Sequence, residues 1–380
     1  MDLDLDDADA LLLCADSERN QDLYYATRFR APDPFVFLWT RSGKILLVKD
    51  LELDRARLQA QVDQVLAASH YESQLRDQGV EQPTSHDILL TALRQLELAQ
   101  LRVPADFPIA TADFLRRAGV ELEVADAPLF PQRQIKTPGE IDALRQVMRA
   151  TEEGMEAAVD AIRRATVRDG LLYFDGQVLT SERVRQRIHL RLMELDSIGH
   201  HTIVAGGEQG CDPHQEGSGP LRAGQTIIID IFPRASASGY YGDITRTVVK
   251  GAAGAGIKAL FDAVLRSQQL ALERIRAGVP GKEIHQAVKD FFSAAGYETG
   301  EKDGYMQGFF HGTGHGLGLD IHEAPSIGPR EGVLQTGHVV TVEPGLYYRG
   351  LGGVRIEDVV VVRDGGCENL TTFPKYLEVD

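Results

Sequence analysis

The sequence predicts a mixed α/β (α+β) protein with two domains. Its 380 residues exceed the usual length of one domain, and 43% of them are hydrophobic, which is enough for a large buried core. A proline-containing stretch at 127–132 is typical of a linker, so we predict domains at 1–125 and 137–380, joined by 126–136. Beyond the linker, two pairs of helical segments each precede a glycine-rich, strand-rich stretch, which indicates two similar halves in the second domain.

Short apolar runs mark the first domain. Ala10–Cys14 is one such run, and Phe35–Trp39 and Ile45–Val48 flank a polar turn, so all three predict strands. Hydrophobic periodicity predicts helices over Leu51–Ala68 and Asp87–Leu101. Nothing in this region clusters residues suited to catalysis.

The second domain begins with a strong helix signal. Thr137 is a cap residue, proline follows at the first helical position and the first turn is acidic, which predicts a helix to about Ala165. Further helices are predicted over Ser181–Asp196, Gly256–Ala277 and Gly281–Ala295. The predicted strands include His201–Ala205, Thr226–Ile231, Ile244–Val249, Val339–Glu343 and Val354–Val362. Potential metal ligands lie on or beside most of these strands, where a rigid backbone suits a metal site.

Charge and cysteine content exclude several classes of protein. The formal net charge of −16 disfavours nucleic acids and anionic membranes as partners, because both attract basic surfaces. Three cysteines give no disulfide framework and favour a reducing compartment. The first residues lack the basic and apolar segments of a signal peptide, and no apolar run approaches about 18 residues, so we expect a cytoplasmic protein without a membrane span.

Four carboxylates stand at the ends of predicted strands. Asp230 ends an apolar run, Asp243 precedes a strand, Glu343 is followed by Pro-Gly, and Glu357 shares a strand face with Arg355. Each has a plainer interpretation when taken alone. Asp230 could be a helix cap or a paired core acid, Asp243 a turn residue, and Arg355 with Glu357 a salt-bridged strand end.

Residues 311–318 alternate glycine with larger side chains. Four glycines make a helix unfavourable, by about 1 kcal/mol each relative to alanine. In an extended chain, His311 and His315 would lie about 13 Å apart, so we expect them to have different roles. His322 follows shortly afterwards, and the local combination favours a functional site over isolated surface histidines.

The four carboxylates and His315 are together consistent with a metal centre. Four converging carboxylates would repel one another and become protonated unless cations neutralised them. Two divalent cations supply matching charge, and an oxygen-rich set with one nitrogen suits Mn²⁺, Co²⁺, Fe²⁺ or Zn²⁺. Ions roughly 3.5–4 Å apart can share bridging carboxylates and a bridging hydroxide. The spacing in the sequence leaves open whether these residues converge.

Five ordered motifs closely resemble the creatinase-like, pita-bread metallopeptidases, which include Xaa-Pro dipeptidases (prolidases), aminopeptidases P and, more distantly, methionine aminopeptidases. The motifs are Ile229-Asp230, Gly242–Thr247, His311–Gly316, Thr341–Gly345 and Val354–Asp358. Residues before 137 match weakly, through Asp22–Thr27. The resemblance implies a small N-terminal creatinase-like α/β domain and a C-terminal pita-bread catalytic domain, with pseudo-twofold duplicated helices and an antiparallel sheet.

The resemblance also implies roles for individual residues. Asp230 would bind one metal ion, His315 and Glu343 the other, and Asp243 and Glu357 would bridge the two, with manganese the expected metal. His322 would contact the scissile carbonyl or its oxyanion, while His214 and His311 would line the substrate site. Arg355 would fix the substrate or the nearby carboxylates. A bridging hydroxide would attack the carbonyl before proline, and Glu343 would shuttle its proton.

One segment departs from the family pattern. Residues 231–242 are about two residues longer than is usual there, and Phe232 stands where a small residue is common. The ligand positions are all filled, but the shape of the nearby pocket is open.

The resemblance leaves the choice of activity open between a dipeptidase acting on Xaa-Pro and an aminopeptidase P acting on longer peptides. The short chain favours the dipeptidase, which must recognise a free carboxylate, usually with an arginine. Arg28, Arg30 and Arg41 are candidates for that contact. A catalytically silent binding protein on the same fold is the third interpretation, and the complete ligand set argues against it. The family also implies a homodimer.

Overall fold

The computed structural model describes Leu5 and residues 7–380. It divides into two compact units, Met1–Arg133 and Gln134–Asp380. The boundary falls inside the segment predicted as a linker. Phe130, near the end of the first unit, is buried and packs its ring against Tyr25 and Trp39. Part of the predicted linker therefore belongs to the core of the first unit.

The described part of the first unit contains a six-stranded mixed sheet in the order β4-β3-β2-β1-β5-β6. The strands are β1 Ala10–Ala15, β2 Phe35–Thr40, β3 Gly43–Val48, β4 Gln64–Ala67, β5 Gln100–Val103 and β6 Glu121–Val124. The helices are α1 Gln21–Thr27, α2 Asp50–Gln59, α3 Ala68–Asp77, α4 Ser85–Gln95 and α5 Ile109–Arg117. The three strands expected here are present.

Both long helices predicted for this unit were wrong at their C-terminal ends. The first ends at Gln59, and residues 64–67 form β4, which pairs in parallel with the buried strand β3. The second ends at Gln95, after which Glu97 adopts a positive φ of 56° and the chain enters β5 beside β1. In both places, pairing with a buried strand outweighs the helical preference of the local sequence.

The second unit combines four helices, in its described residues, with several short sheets. The helices are α6 Pro138–Arg163, α7 Ser181–Glu194, α8 Ala255–Arg274 and α9 Gly281–Ala294. The strands of its first part are β7 Thr166–Arg168, β8 Leu171–Phe174, β9 Gln177–Val178, β10 Ser197–Ile198, β11 Ile203–Gly206, β12 Ile227–Ile231, β13 Arg234–Ala235 and β14 Ile244–Lys250. Those of its second part are β15 Gly300–Lys302, β16 Tyr305–Gln307, β17 Gly314–Gly316, β18 Glu323–Ile327, β19 Val339–Val342, β20 Gly345–Tyr348, β21 Gly352–Arg355, β22 Asp358–Arg363, β23 Gly366–Asn369 and β24 Glu378–Val379.

Two hydrophobic cores divide the second unit into halves. In the first half, Val159 of α6 and Ile188 of α7 pack with Ile229 in the sheet β11-β12-β14-β24. In the second half, Val264 of α8 packs with Val340 in the sheet β18-β17-β19-β22-β23. Most neighbouring strands are antiparallel. Each helix pair thus covers its own sheet, in agreement with the predicted halves.

Two strand predictions in this unit were wrong in detail. Residues 354–362 form two strands, because β21 pairs with β20 whereas β22 pairs with β19 and β23. The chain changes sheets at Ile356 and Glu357, where the Glu357 N–H donates to the carbonyl of Thr245 at 3.0 Å. The strand expected from His201 begins at Ile203, since His201 has a left-handed φ of 53°.

No helix within residue 5 and residues 7–380 has both the length and the apolar character needed to cross a membrane.

Candidate metal centre

Five of the predicted site residues come together on one wall of a cavity of about 860 Å³. They lie on or directly beside strands of both halves: Asp230 in β12, Asp243 just before β14, His315 in β17, Glu343 just after β19 and Glu357 between β21 and β22. Asp230, Asp243 and Glu357 are buried, and His315 and Glu343 are partly so. The rigid backbone of the sheets therefore fixes all five donors.

The spacing of the donor atoms suits a metal ion. His315 Nε2 lies 3.6 Å from Asp243 Oδ2 and 3.7 Å from Glu343 Oε1. Donor atoms of Asp243, His315 and Glu357 lie within 4.8 Å of one another. Ligands about 2.1 Å from a tetrahedral centre are about 3.4 Å apart, so a small ion fits among these atoms after slight contraction.

The tautomer of His315 agrees with this geometry. Its Nδ1–H donates to the carbonyl of Gly316 at 3.1 Å, which leaves the Nε2 lone pair facing the carboxylates. Burial, together with the neighbouring His322, lowers the pKa of His315 to about 3, so the imidazole is neutral. A neutral imidazole with a free Nε2 is the form that binds metals.

The carboxylates carry more negative charge than the surrounding protein neutralises. Burial raises the pKa of Asp243 well above its usual range, and the carboxylates of Glu357 and Asp230 raise it further. Burial also raises the pKa of Glu357, and it raises that of Glu343 to about 8 although Arg355 opposes this rise. Asp230 Oδ1 is buried without a hydrogen-bond partner among the described residues. A cluster with these properties gains most from bound cations.

Arg355 contacts the ligand set directly. Its Nη2 donates to Asp230 Oδ2 at 2.6 Å, and both side chains are almost fully buried. Its Nη1 donates to the hydroxyl of Tyr347 at 3.0 Å, and the Tyr347 hydroxyl lies 2.9 Å from His311 Nε2. Arg355 therefore orients Asp230 through one nitrogen and links to His311 through the other.

Hydroxyl groups of β14 support the same cluster. Thr245 Oγ1 donates to Glu357 Oε2 at 2.7 Å and accepts from Arg355 Nε at 3.3 Å. Thr247 Oγ1 donates to the carbonyl of Arg355 at 2.9 Å. Thr245 and Thr247 are two residues apart and share one face of β14, and that face meets the site.

The cavity histidines have different environments. The Nδ1–H of His311 donates to the carbonyl of Gly312 at 2.8 Å, so its Nε2 accepts from Tyr347. Burial lowers the pKa of His311 to about 3. His214 and His322 are exposed and line the cavity, and the His322 ring lies 4.3 Å from the His315 ring, nearly perpendicular to it. His214 and His322 are therefore the histidines best placed to meet a ligand.

The glycines of the 311–318 run are required by close strand packing. A Cβ on Gly314 would lie 1.9 Å from the carbonyl oxygen of Thr341, and one on Gly316 would lie 2.5 Å from that of Glu323. The strand β17 can thus lie between β18 and β19 only with a bare face. This packing turns the side chain of His315 towards the carboxylates.

The predicted carboxylate-binding arginines belong to the first unit, whereas the cavity described above belongs to the second. Arg28 and Arg30 lie over the ring of Tyr24, at 5.9 and 4.2 Å from its centroid. Arg41 is exposed in the turn between β2 and β3.

Sequence reasoning missed Tyr347, which joins Arg355 to His311 and is fully buried. The register of the β20–β21 hairpin pairs Gly345 with Arg355, and a Cβ on Gly345 would lie 2.4 Å from the Tyr347 hydroxyl. A tyrosine two residues after a glycine at the end of a ligand strand was the available signal. Phe232 and Phe310 also line the cavity.

Comparisons with known proteins agree with this chemistry. Residues 142–364, more than half of the chain, match the model of metallopeptidase family M24. The Xaa-Pro dipeptidase of Pyrococcus furiosus is 30% identical over 259 residues, which cover 68% of this chain and 68% of that protein.

Two solved structures are similar over nearly the whole chain. The X-Pro aminopeptidase of Thermotoga maritima has a TM-score of 0.82 at 25% identity, covering 98% of both chains. The Xaa-Pro dipeptidase of Bacillus anthracis has the same TM-score and identity, covering 98% of this chain and 95% of its own. These similarities confirm the predicted α/β, pita-bread architecture.

Proposed function

The chain belongs to metallopeptidase family M24, whose members are metal-dependent peptide hydrolases, and from this we propose that it is a prolidase-type enzyme that hydrolyses the Xaa-Pro bond of dipeptides. The convergence of four carboxylates and one imidazole in a single cavity is the observation that carries the proposal. The names of the similar proteins, an Xaa-Pro dipeptidase in two cases, support this substrate class.

The donor set fits two divalent ions. Asp230 and Asp243 would hold one ion, His315 and Glu343 the other, and Asp243 and Glu357 would contribute to both. The unpaired Oδ1 of Asp230 and the raised pKa values of the buried acids support this assignment. When bound, the ions supply Lewis acidity, which polarises the scissile carbonyl and makes the attacking water more acidic. Manganese is the metal we propose.

The protein's own groups would move protons and orient the peptide. Glu343 lines the cavity beside His315, so it would accept a proton from the attacking water and pass it to the proline nitrogen. His322 lines the cavity beside His315 and would donate a hydrogen bond to the carbonyl oxygen as negative charge develops. His214 and His311 would line the leaving-group side, and Arg355 would hold Asp230 in place.

An aminopeptidase P that acts on longer Xaa-Pro peptides is the second candidate. One of the two solved structures carries that description, at the same TM-score and identity as the dipeptidase. Structural similarity therefore does not choose between the activities, and neither does length, since the aminopeptidase is matched over 98% of both chains. The argument for the dipeptidase is the 30% identical Xaa-Pro dipeptidase. A homodimer is a further proposal, which rests on the family resemblance alone. A carboxylate contact from Arg41 is proposed from the preference of carboxylates for arginine, and a cytoplasmic location from the cysteine content.

The deciding experiment compares Ala-Pro with Ala-Pro-Ala as substrates, with Mn²⁺ and then with a chelator. We expect fast, chelator-sensitive cleavage of Ala-Pro and little cleavage of the tripeptide. The Glu343→Ala variant serves as the inactive control, and Ala-Ala as the control for proline dependence. Preference for the tripeptide would establish aminopeptidase P activity, whereas cleavage of neither peptide would reject both activities and favour a binding protein.

A further inference from the structure

A buried ion pair lies beneath the loop that carries His322. The ammonium of Lys136 contacts Glu323 Oε1, and the side chains of the two residues are 2% and 11% exposed. Lys136 precedes α6, whereas Glu323 begins β18 and directly follows His322. The pair therefore joins two segments that are far apart in the sequence, next to a residue that faces the cavity.

The Glu323 carboxylate contacts the backbone of the loop 317–322. Its Oε2 accepts from the backbone N–H of Asp320 at 3.4 Å. A Cβ on Gly318 would lie 2.5 Å from Glu323 Oε1, so the backbone of the loop packs directly on this carboxylate. The position of the carboxylate consequently sets the path of the loop.

Lys136 is itself tied to the strand that leads to Glu343. Its backbone N–H donates to the carbonyl of Gly337 at 2.9 Å, and Ile135 forms a bridge with His338, immediately before β19. The ammonium also lies 3.4 Å from the carbonyl of Gln134. Lys136 thus fixes the base of the His322 loop relative to a strand of the metal centre.

Stability alone does not account for such a pair. Replacing a buried ion pair with apolar or neutral residues of similar size is often neutral or stabilising, because the pair loses hydration. Buried pairs of this kind can instead fix one arrangement of the chain. Here the arrangement concerns the loop that presents His322.

We infer that Lys136 and Glu323 are positioning residues, which hold the 317–322 loop so that the His322 imidazole faces the substrate cavity. The kinetic consequence rests on the proposed function, in which His322 contacts the scissile carbonyl. The placement of the loop does not depend on that function.

The test uses the full chain and the double variant Lys136→Met with Glu323→Gln. Single changes leave a buried charge unpaired and lower the melting temperature, whereas the double variant is expected to regain most of it. We expect kcat for Ala-Pro to remain on the order of tenfold or more below that of the original protein, because the histidine is misplaced. The matched control is Lys282→Met with Glu331→Gln, which removes an exposed pair of the same type and should leave kcat unchanged.

A double-mutant cycle separates positioning from general damage. In the His322→Ala background, the double variant is expected to change kcat by less than about twofold, since the group it positions is gone. Spectra of ¹⁵N-labelled histidines provide a readout besides activity: the His322 signals should shift in the double variant and stay fixed in the control. Effects on kcat that multiply with those of His322→Ala, or unmoved His322 signals, would overturn the inference.

Two further outcomes, an unchanged kcat in His322→Ala and a double variant that does not fold, can be told apart from failure of the inference. If His322→Ala alone leaves kcat unchanged, the proposed catalytic role of His322 fails, and the histidine spectra then decide the positioning by themselves. If the double variant does not fold, Glu323→Asp keeps both charges but shortens the side chain by one carbon. Glu323→Asp is expected to lower kcat severalfold and to shift the His322 signals. If neither kcat nor the signals changed, the inference would be overturned.

Discussion

The two halves of the second unit share an architecture but contribute different chemistry to the cavity. The first half supplies only carboxylates as predicted ligands, Asp230 within β12 and Asp243 directly before β14. The second half supplies His315 in β17, whose pairing with β18 shifts register, Glu343 directly after β19, and Glu357 between β21 and β22. The two acids of the first half thus lie on or directly beside one sheet, whereas the candidate donors of the second half lie where the chain leaves a strand or where strand pairing shifts.

The largest expected effect comes from removing one acid in each half. Asp243→Asn and Glu343→Ala should both reduce kcat for Ala-Pro by three or more orders of magnitude, on the scale of losses from removal of essential catalytic groups. Isothermal titration with Mn²⁺ should show weakened binding in both variants, because each residue is a proposed ligand. Near-normal turnover by either variant would show that the acid contributed by that half is not required for catalysis.

Two glycine-to-alanine substitutions, one in each half, compare how closely other atoms pack against the backbone. Gly314→Ala places a methyl group 1.9 Å from the Thr341 carbonyl, and we expect a loss of about 3 kcal/mol in unfolding free energy. Gly139→Ala in α6 meets nothing within 4 Å and should stabilise by up to about 1 kcal/mol. Urea denaturation of both variants measures the difference, and equal stabilities would contradict the close approach of β17 to β19.

The stability of the metal-free protein should depend on pH through buried acids of both halves, Asp243 in the first and Glu343 and Glu357 in the second, whose pKa values are all raised. The pKa of Glu343 is raised by burial to about 8, so the folded state binds its proton more tightly than the unfolded state does. Stability from this group is complete below the ordinary pKa of a glutamate and is lost as the pH rises towards 8. Thermal melting after chelation should show this decline between about pH 4.5 and 8. With Mn²⁺ present, the decline should shrink, and an identical pH profile in both states would contradict the proposed ligand role.

The smallest expected effect concerns the first half. Phe232 lies two residues after Asp230 and lines the cavity. Phe232→Ala should favour dipeptides with a bulky residue before proline, raising kcat/KM for Phe-Pro relative to Gly-Pro by on the order of tenfold. Phe310→Ala, which removes an aromatic ring elsewhere on the cavity wall, provides the comparison. An unchanged ratio for Phe232→Ala would remove this residue from the specificity pocket.

Periodicity and motifs were sufficient for the main features of the fold and of the site. The four helices of the second unit were predicted with small errors at their ends, because long amphipathic patterns with clear caps are strong signals, as at Thr137. The strand β4 was missed because four residues beside a helix carry little periodic information, and its partner β3 is distant in sequence.

The family motifs predicted that the candidate ligands converge. The spacing of these residues along the sequence did not predict it. Nothing local in the sequence indicates that Asp230 meets Arg355, or that Tyr347 bridges Arg355 and His311. The contact between Lys136 and Glu323 was missed for the same reason, since it joins a segment before α6 to the start of β18. Pairs of this kind depend on the register of several sheets, which a pattern of single residues does not contain.

The division of ligands between the halves has a consequence for synthesis. A growing chain exposes Asp230 and Asp243 well before His315, Glu343 and Glu357 have been added. The core of the first half also contains Val379 of β24, the strand that completes the sheet beside β14, and this strand follows all five residues along the chain. The five side chains therefore cannot converge before residue 357 has been added, and the sheet that carries Asp230 is completed later still, when β24 pairs with β14.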